Sequence, residues 1–113
     1  MIYPNYLIDM VRGDTLSYGL EIEGLGQDLA TADFTVKKNA TDSVALIHKD
    51  LTDGISKTED WKYIVRLAPE DTAELDAGTY NFDLQVSANT DVFTIMIGIL
   101  VLEQDVTFEE ASS

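Results

Sequence analysis

Apolar and polar side chains alternate every second residue through most of this chain. From Thr15 to Glu23, Leu16, Tyr18, Leu20 and Ile22 share one parity, while Thr15, Ser17, Gly19 and Glu21 share the other. That pattern predicts a strand with one face in a core and one in water. Asp33 to Lys38 repeats it with Phe34 and Val36 inward, and Lys62 to Leu67 with Tyr63, Val65 and Leu67 inward. In the strand that Tyr80 opens, Tyr80, Phe82, Leu84 and Val86 face one way and Asn81, Asp83, Gln85 and Ser87 the other. Val44 to Asp50 and Ile55 to Thr58 read as shorter strands, and Tyr6 to Val11 is an apolar stretch broken by Arg12-Gly13-Asp14. Gly24–Leu29, Asn39–Ser43, Asp53-Gly54 and the hairpin Asn89-Thr90-Asp91 supply the turns between them. Pro69 to Leu75 places a proline and acids in a first helical turn, closed by Asp76 and Gly78. The expected fold is all-β: an antiparallel sandwich with one short helical crossing before the penultimate strand.

The last strand, Val92 to Leu102, departs from the alternation. Phe93, Ile95, Ile97, Ile99 and Val101 are apolar on one parity, and Val92, Met96, Leu100 and Leu102 on the other. A sandwich strand with one wet face is not expected to be apolar on both. Either Gly98 marks a bulge that switches parity midway, or a second chain covers the outer face. Phe93, Ile95, Ile97 and Ile99 are accordingly the candidate interface residues.

A helical turn, a glycine and then a tyrosine opening a strand, Asp76-Ala77-Gly78-Thr79-Tyr80, resembles the tyrosine corner of immunoglobulin-like sandwiches. There the phenol hydroxyl bonds back to upstream backbone, so Asp76, Gly78 and Tyr80 are read as a structural corner.

Size and charge narrow the picture. The 113 residues are read as one domain over residues 1–106 with an acidic flexible tail over 107–113, and 45% hydrophobic composition argues against disorder. With no cysteine, disulfides and thiolate chemistry are excluded. The first residues lack the basic and apolar regions of a signal peptide, and the apolar run Ile95 to Leu102 is too short to span a bilayer. A net charge of −14 repels phosphate backbones, so neither nucleic acid nor membrane is an expected partner. Every lysine lies between Lys37 and Lys62, and ten acids but no Lys or Arg follow Arg66. If that last third forms one face, it would steer toward a basic partner or a cation.

Reacting groups are scarce. His48 is the one histidine, placed on a strand between Ile47 and Lys49, and the sequence shows no nucleophile elbow, phosphate loop or metal-binding His pair. Asp50-Leu51-Thr52-Asp53-Gly54 is only a fragment of a calcium loop. Arg12-Gly13-Asp14 spells the tripeptide that integrins read, but it falls where a turn is needed. Asn39-Ala40-Thr41 fits a glycosylation sequon and reads as a turn. Trp61 stands at a strand entrance, as a lid on the core or as a sugar-stacking platform. No catalytic, cofactor-binding or metal residue is expected, and the chain is read as non-enzymatic.

Three motifs taken together, Val11-Arg12-Gly13-Asp14-Thr15, Pro69-Glu70-Asp71-Thr72 and Asp76-Ala77-Gly78-Thr79-Tyr80, resemble the N-terminal immunoglobulin-like domain of tailed-bacteriophage upper-baseplate and tail proteins. The resemblance spans roughly Met10 to Val106. It implies a phage or prophage virion component, assembled in the bacterial cytoplasm, whose partners are other virion proteins or further copies of itself. Set against it is a bacterial surface or secreted binding module that recognises a glycan or a protein.

Overall fold

The computed structural model describes residues 5–22, 29–39, 41–59, 62–88 and 90–104. Trp61, the tail at 107–113, most of the Gly24–Leu29 loop, Ala40 of the sequon and Asn89 of the hairpin lie outside the described residues. Among the described residues eight strands and one short helix follow in the order β1 (Asn5–Val11), β2 (Leu16–Glu21), β3 (Thr31–Lys37), β4 (Ile47–Asp50), β5 (Ile55–Glu59), β6 (Lys62–Leu67), α1 (Pro69–Ala73), β7 (Gly78–Ala88) and β8 (Asp91–Glu103). They form two sheets, β1-β8-β7-β3-β4 and β2-β6-β5.

Alternation in the sequence becomes burial in the sandwich. Phe34, Val36, Phe82, Leu84, Leu100 and Leu102 of the larger sheet meet Ile55, Tyr63, Val65 and Leu67 of the smaller one in a single core. The Phe34 and Phe82 rings pack tilted with centroids 5.3 Å apart. Each fully buried Leu here, such as Leu84 or Leu100, contributes roughly 1.5–3 kcal/mol by leaving water.

The ends of the sandwich are tied by backbone and buried polar groups. Gly13 adopts a left-handed φ of 85° in the β1–β2 turn, and its N–H donates to Thr72 Oγ1 at 2.8 Å. Arg12 donates to the Leu75 carbonyl at 3.3 Å. The Arg-Gly-Asp tripeptide is thus a turn braced against α1. Asp71 accepts from the Ala68 N–H at 2.7 Å and pairs at 3.0 Å with Lys49, whose side chain points inward from β4. This ion pair ties the helical crossing to the larger sheet. At the start of β7 the Tyr80 hydroxyl donates to the Asp76 carbonyl at 2.6 Å, with the ring 4% exposed. Lys38 covers the corner, 4.7 Å from the Tyr80 ring centroid, while donating to the Thr79 carbonyl. Replacing Tyr80 with Phe leaves the Asp76 carbonyl without its donor and should cost about 1.5 kcal/mol. Urea denaturation checks this: an unchanged midpoint would mean that the corner does not brace the fold.

Two features differ from the sequence reading. Tyr6 to Val11 is a strand, and it runs parallel to β8, with Leu7 opposite Ile99 and Asp9 opposite Val101. All other pairings between these strands are antiparallel. Its partner lies at the far end of the chain, so no hairpin dictates the direction. The second concerns β8. Its bulge lies at Ile95, where Leu84 pairs with Met96 but Gln85 with Thr94. Gly98 is in regular register opposite Phe82 and Tyr6. It is small because two neighbours crowd it: a Cβ there would collide with the Tyr6 carbonyl group and lie 3.0 Å from the Phe82 ring.

Candidate functional site

The bulge at Ile95 decides which β8 side chains reach solvent. Before it, Phe93 pairs with the inward-facing Val86; after it, Met96, Gly98, Leu100 and Leu102 point inward. Phe93 and Ile95 therefore pack against the core, whereas Ile97 and Ile99 stand on the outer face, 41% and 39% exposed. The four candidate interface residues are split into two pairs. A parity switch does occur, yet it leaves an apolar outer surface on the second half of the strand.

Parallel pairing extends that surface. β1 places Leu7, 67% exposed, beside Ile99, and Val101 continues the stripe toward the end of β8. Leu7 was not legible as a surface residue because β1 carries no clean alternation. On the other side of the stripe, Asp83 pairs with Ile97 and Asn81 with Ile99, and Thr35, Lys37 and Asp33 follow on β3. Ile97, Asn81, Asp83, Gln85 and the three β3 residues line a shallow depression of about 360 Å³ on the outer face, floored by Phe82 and Gly98.

Acidic groups crowd one another on this face. Burial raises the Asp83 carboxyl above its ordinary value; Lys37 partly offsets this, and Asp33 adds to it. Asp9 and Glu103 are diagonal neighbours on β1 and β8, and the hydrogen bond and repulsion between them raise the Glu103 carboxyl. Asp50 moves the other way: its carboxylate accepts from the Thr52 hydroxyl at 2.7 Å and the Thr52 N–H at 2.9 Å, which lowers it.

These shifts have opposite signs for stability. Asp83 and Glu103 hold protons in the folded chain that the unfolded chain has released, so stability rises as pH is lowered from neutral through their raised values. Asp50 stabilises the fold above the ordinary value of 3.8, and that contribution is lost as pH falls through its lowered one. Thermal melts across pH should show Tm climbing from neutral toward the ordinary carboxyl range and falling below 3.8. Asp83→Asn should flatten the climb; an unaltered profile would show that Asp83 carries no strain.

His48 lies on the same face at the far edge. Its Nε2 is 2.8 Å from Asp33 Oδ1, and its Nδ1 is 4.0 Å from Asp50 Oδ2. The three groups are near enough to one another for a metal site. The imidazole, however, stands between the two carboxylates, with one ring nitrogen toward each. A chelate needs lone pairs aimed at a shared point, so this geometry suits a bridging imidazole better than three converging ligands. Neither a nucleophile nor an oxyanion donor adjoins it among the described contacts.

Among the described residues the acids after Arg66 do not form one face. Glu70 and Glu74 are exposed at the helical crossing, Asp71 is engaged by Lys49, Asp83 projects from the sheet and Asp91 begins β8 at the opposite end. The condition that the last third forms a single negative face is not met by these residues. The acidic outer face instead joins Asp9 and Asp33 from early strands to Asp83 and Glu103.

A second depression, of about 410 Å³, opens between the sheets where β1 and β2 leave the sandwich seam, lined by Tyr6, Tyr18, Leu20, Ile22, Ile95 and Met96. Burial raises the Tyr18 hydroxyl, with a smaller contribution from Tyr6.

No family model matches the sequence, and no curated protein does. Among solved structures the chain is similar to the NK cell receptor NKp44, described as a triggering partner in natural cytotoxicity. The TM-score is 0.54 at 16% identity, over 88% of this chain and 99% of that one. That likeness shows the fold: an immunoglobulin-like β-sandwich.

Proposed function

We propose that this chain is a non-catalytic assembly module that docks a protein partner on the outer face of its five-stranded sheet. The observation that carries the reading is the apolar stripe Leu7, Ile99 and Ile97, contiguous across β1 and β8 and exposed beside the polar outward residues of β7 and β3. A stripe of this kind, rimmed by polar groups, favours association. The rigid ladder beneath it presents the side chains without the ordering cost that a loop would incur.

The setting we propose is the tail or baseplate of a phage or prophage. It rests on the three motifs at 11–15, 69–72 and 76–80, whose residues serve here as a braced turn, a helical crossing and a tyrosine corner. A chain carrying Ile97→Lys tests the docking reading: it should fold and fail to join its complex. Unimpaired assembly of that variant would remove the stripe from consideration.

A further inference from the structure

Four carboxylates are arranged about the apolar stripe in two close pairs, and the arrangement bears on what covers it. Asp83 stands directly opposite Ile97 on β7, with Asp33 diagonally beyond it on β3. On the other flank Asp9 faces Val101 from β1, and Glu103 is its diagonal neighbour. Asp9 raises the Glu103 carboxyl through a hydrogen bond and like charge, whereas Asp83 is raised chiefly by burial, partly offset by Lys37, with a smaller addition from Asp33. Lys37 is the one Lys or Arg among the described residues that projects from this sheet face, and it is a diagonal neighbour of Asp83 whose charge already acts on it.

Taking the docking face as read above, we infer that its partner is a protein surface with Lys or Arg side chains on both sides of an apolar ridge, and is not a second copy of this chain. Cations at those positions would relieve the repulsion between Asp9 and Glu103 and pair with the half-buried Asp83 carboxylate, so their gain exceeds that of an ordinary rim contact. A second copy brings the same four carboxylates and a net charge of −14 to the same interface. Like charges facing one another weigh against that pairing. The apolar stripe alone would accept either occupant; the charge pairs discriminate.

The probe is a set of short synthetic peptides titrated against the full chain at neutral pH: a Val run flanked at both ends by Lys (Lys/Val), the same with Gln in place of Lys (Gln/Val), and the same with Ser in place of Val (Lys/Ser). The Lys/Val peptide should bind at least about tenfold more tightly than either of the others. Its affinity should fall as salt rises from about 50 to about 500 mM, and both Ile97→Ser and Asp83→Asn with Glu103→Gln should weaken it. Equal binding of the Gln/Val peptide, still sensitive to Ile97→Ser, overturns the charge inference and leaves the docking face standing. Equal binding of the Lys/Ser peptide without sensitivity to Ile97→Ser overturns both, as does no binding by any of them. Sedimentation provides the independent arm: a neutral-pH dimer of the wild-type chain, lost with Ile97→Ser, would show the second copy to be the occupant.

Discussion

Ile97→Lys should leave a folded monomer that no longer assembles. Ile97 projects from the outer face and is 41% exposed, so the longer side chain displaces nothing in the core. Asp83 lies directly across the ladder and offers the new ammonium a carboxylate. The cost to folding should therefore stay within about 0.5 kcal/mol, as for most surface substitutions. Docking is a different matter. A partner that seals the stripe would strip water from an ammonium placed in it, which costs far more than the apolar contact it replaces. Binding should weaken at least about a hundredfold, or about 2.7 kcal/mol. Val92, 65% exposed at the hairpin end of β8, is the control: Val92→Lys should leave assembly unchanged. Thermal melts beside sedimentation of the complex separate the two effects. Equal loss from both variants would indicate a general charge effect and not a local face.

The largest effect on the fold itself is expected from Gly98→Ala. Gly98 lies beside Tyr6 in the β1–β8 ladder, and its backbone φ is not the constraint. The constraint is space: the added Cβ meets the Tyr6 carbonyl group on one side and Phe82 on the other. Tyr6 contributes backbone to the collision, so no rotamer change relieves it, and Phe82 is held by Phe34 in the core. We expect a loss of about 3 kcal/mol, at the upper end for overpacking. It should be concentrated in β1, where amide hydrogen exchange should accelerate from Tyr6 to Met10 while β3 and β7 remain protected. Uniform acceleration across the sheet would place the strain in the core instead. The substitution would also dislodge Leu7 from the docking stripe, so a defect in assembly should accompany the loss of stability.

Strands with one wet face were legible because burial imprints a period of two. Leu16 to Ile22, Phe34 and Val36, Tyr63 to Leu67, and Tyr80 to Val86 occupy the parities that the sequence assigns them. The helical crossing was equally legible, since Pro69 and the acids after it suit a first turn. β1 was not, because Leu7 and Val11 are apolar residues on the exposed parity beside the buried Ile8 and Met10. Where both faces are apolar, periodicity carries no direction and no partner. The bulge position was hidden for a related reason. Glycine draws attention in a strand, but the extra residue is Ile95, whose partly buried side chain packs against the core. The carboxylate pairs were beyond sequence reasoning altogether. Asp9 meets Glu103 only once β1 and β8 are laid parallel, and Asp33 meets Asp83 only in the β3–β7 register. Lys49 shows the reverse: its inward parity could be read beside Ile47, but the acid awaiting it on α1 could not.

The side-by-side run of β1 and β8 bears on how the domain would carry load. Seven consecutive positions pair in parallel, from Asn5 with Ile97 to Val11 with Glu103. The polypeptide consequently enters the sheet at one end of this ladder and leaves it at the other. Tension applied along the chain would pull the two strands lengthwise past each other, stressing the rungs together instead of peeling them one at a time. Such a connection sets seven rungs at once against the pull, so the expected response to stretching is one abrupt yielding of the ladder and not a gradual unzipping.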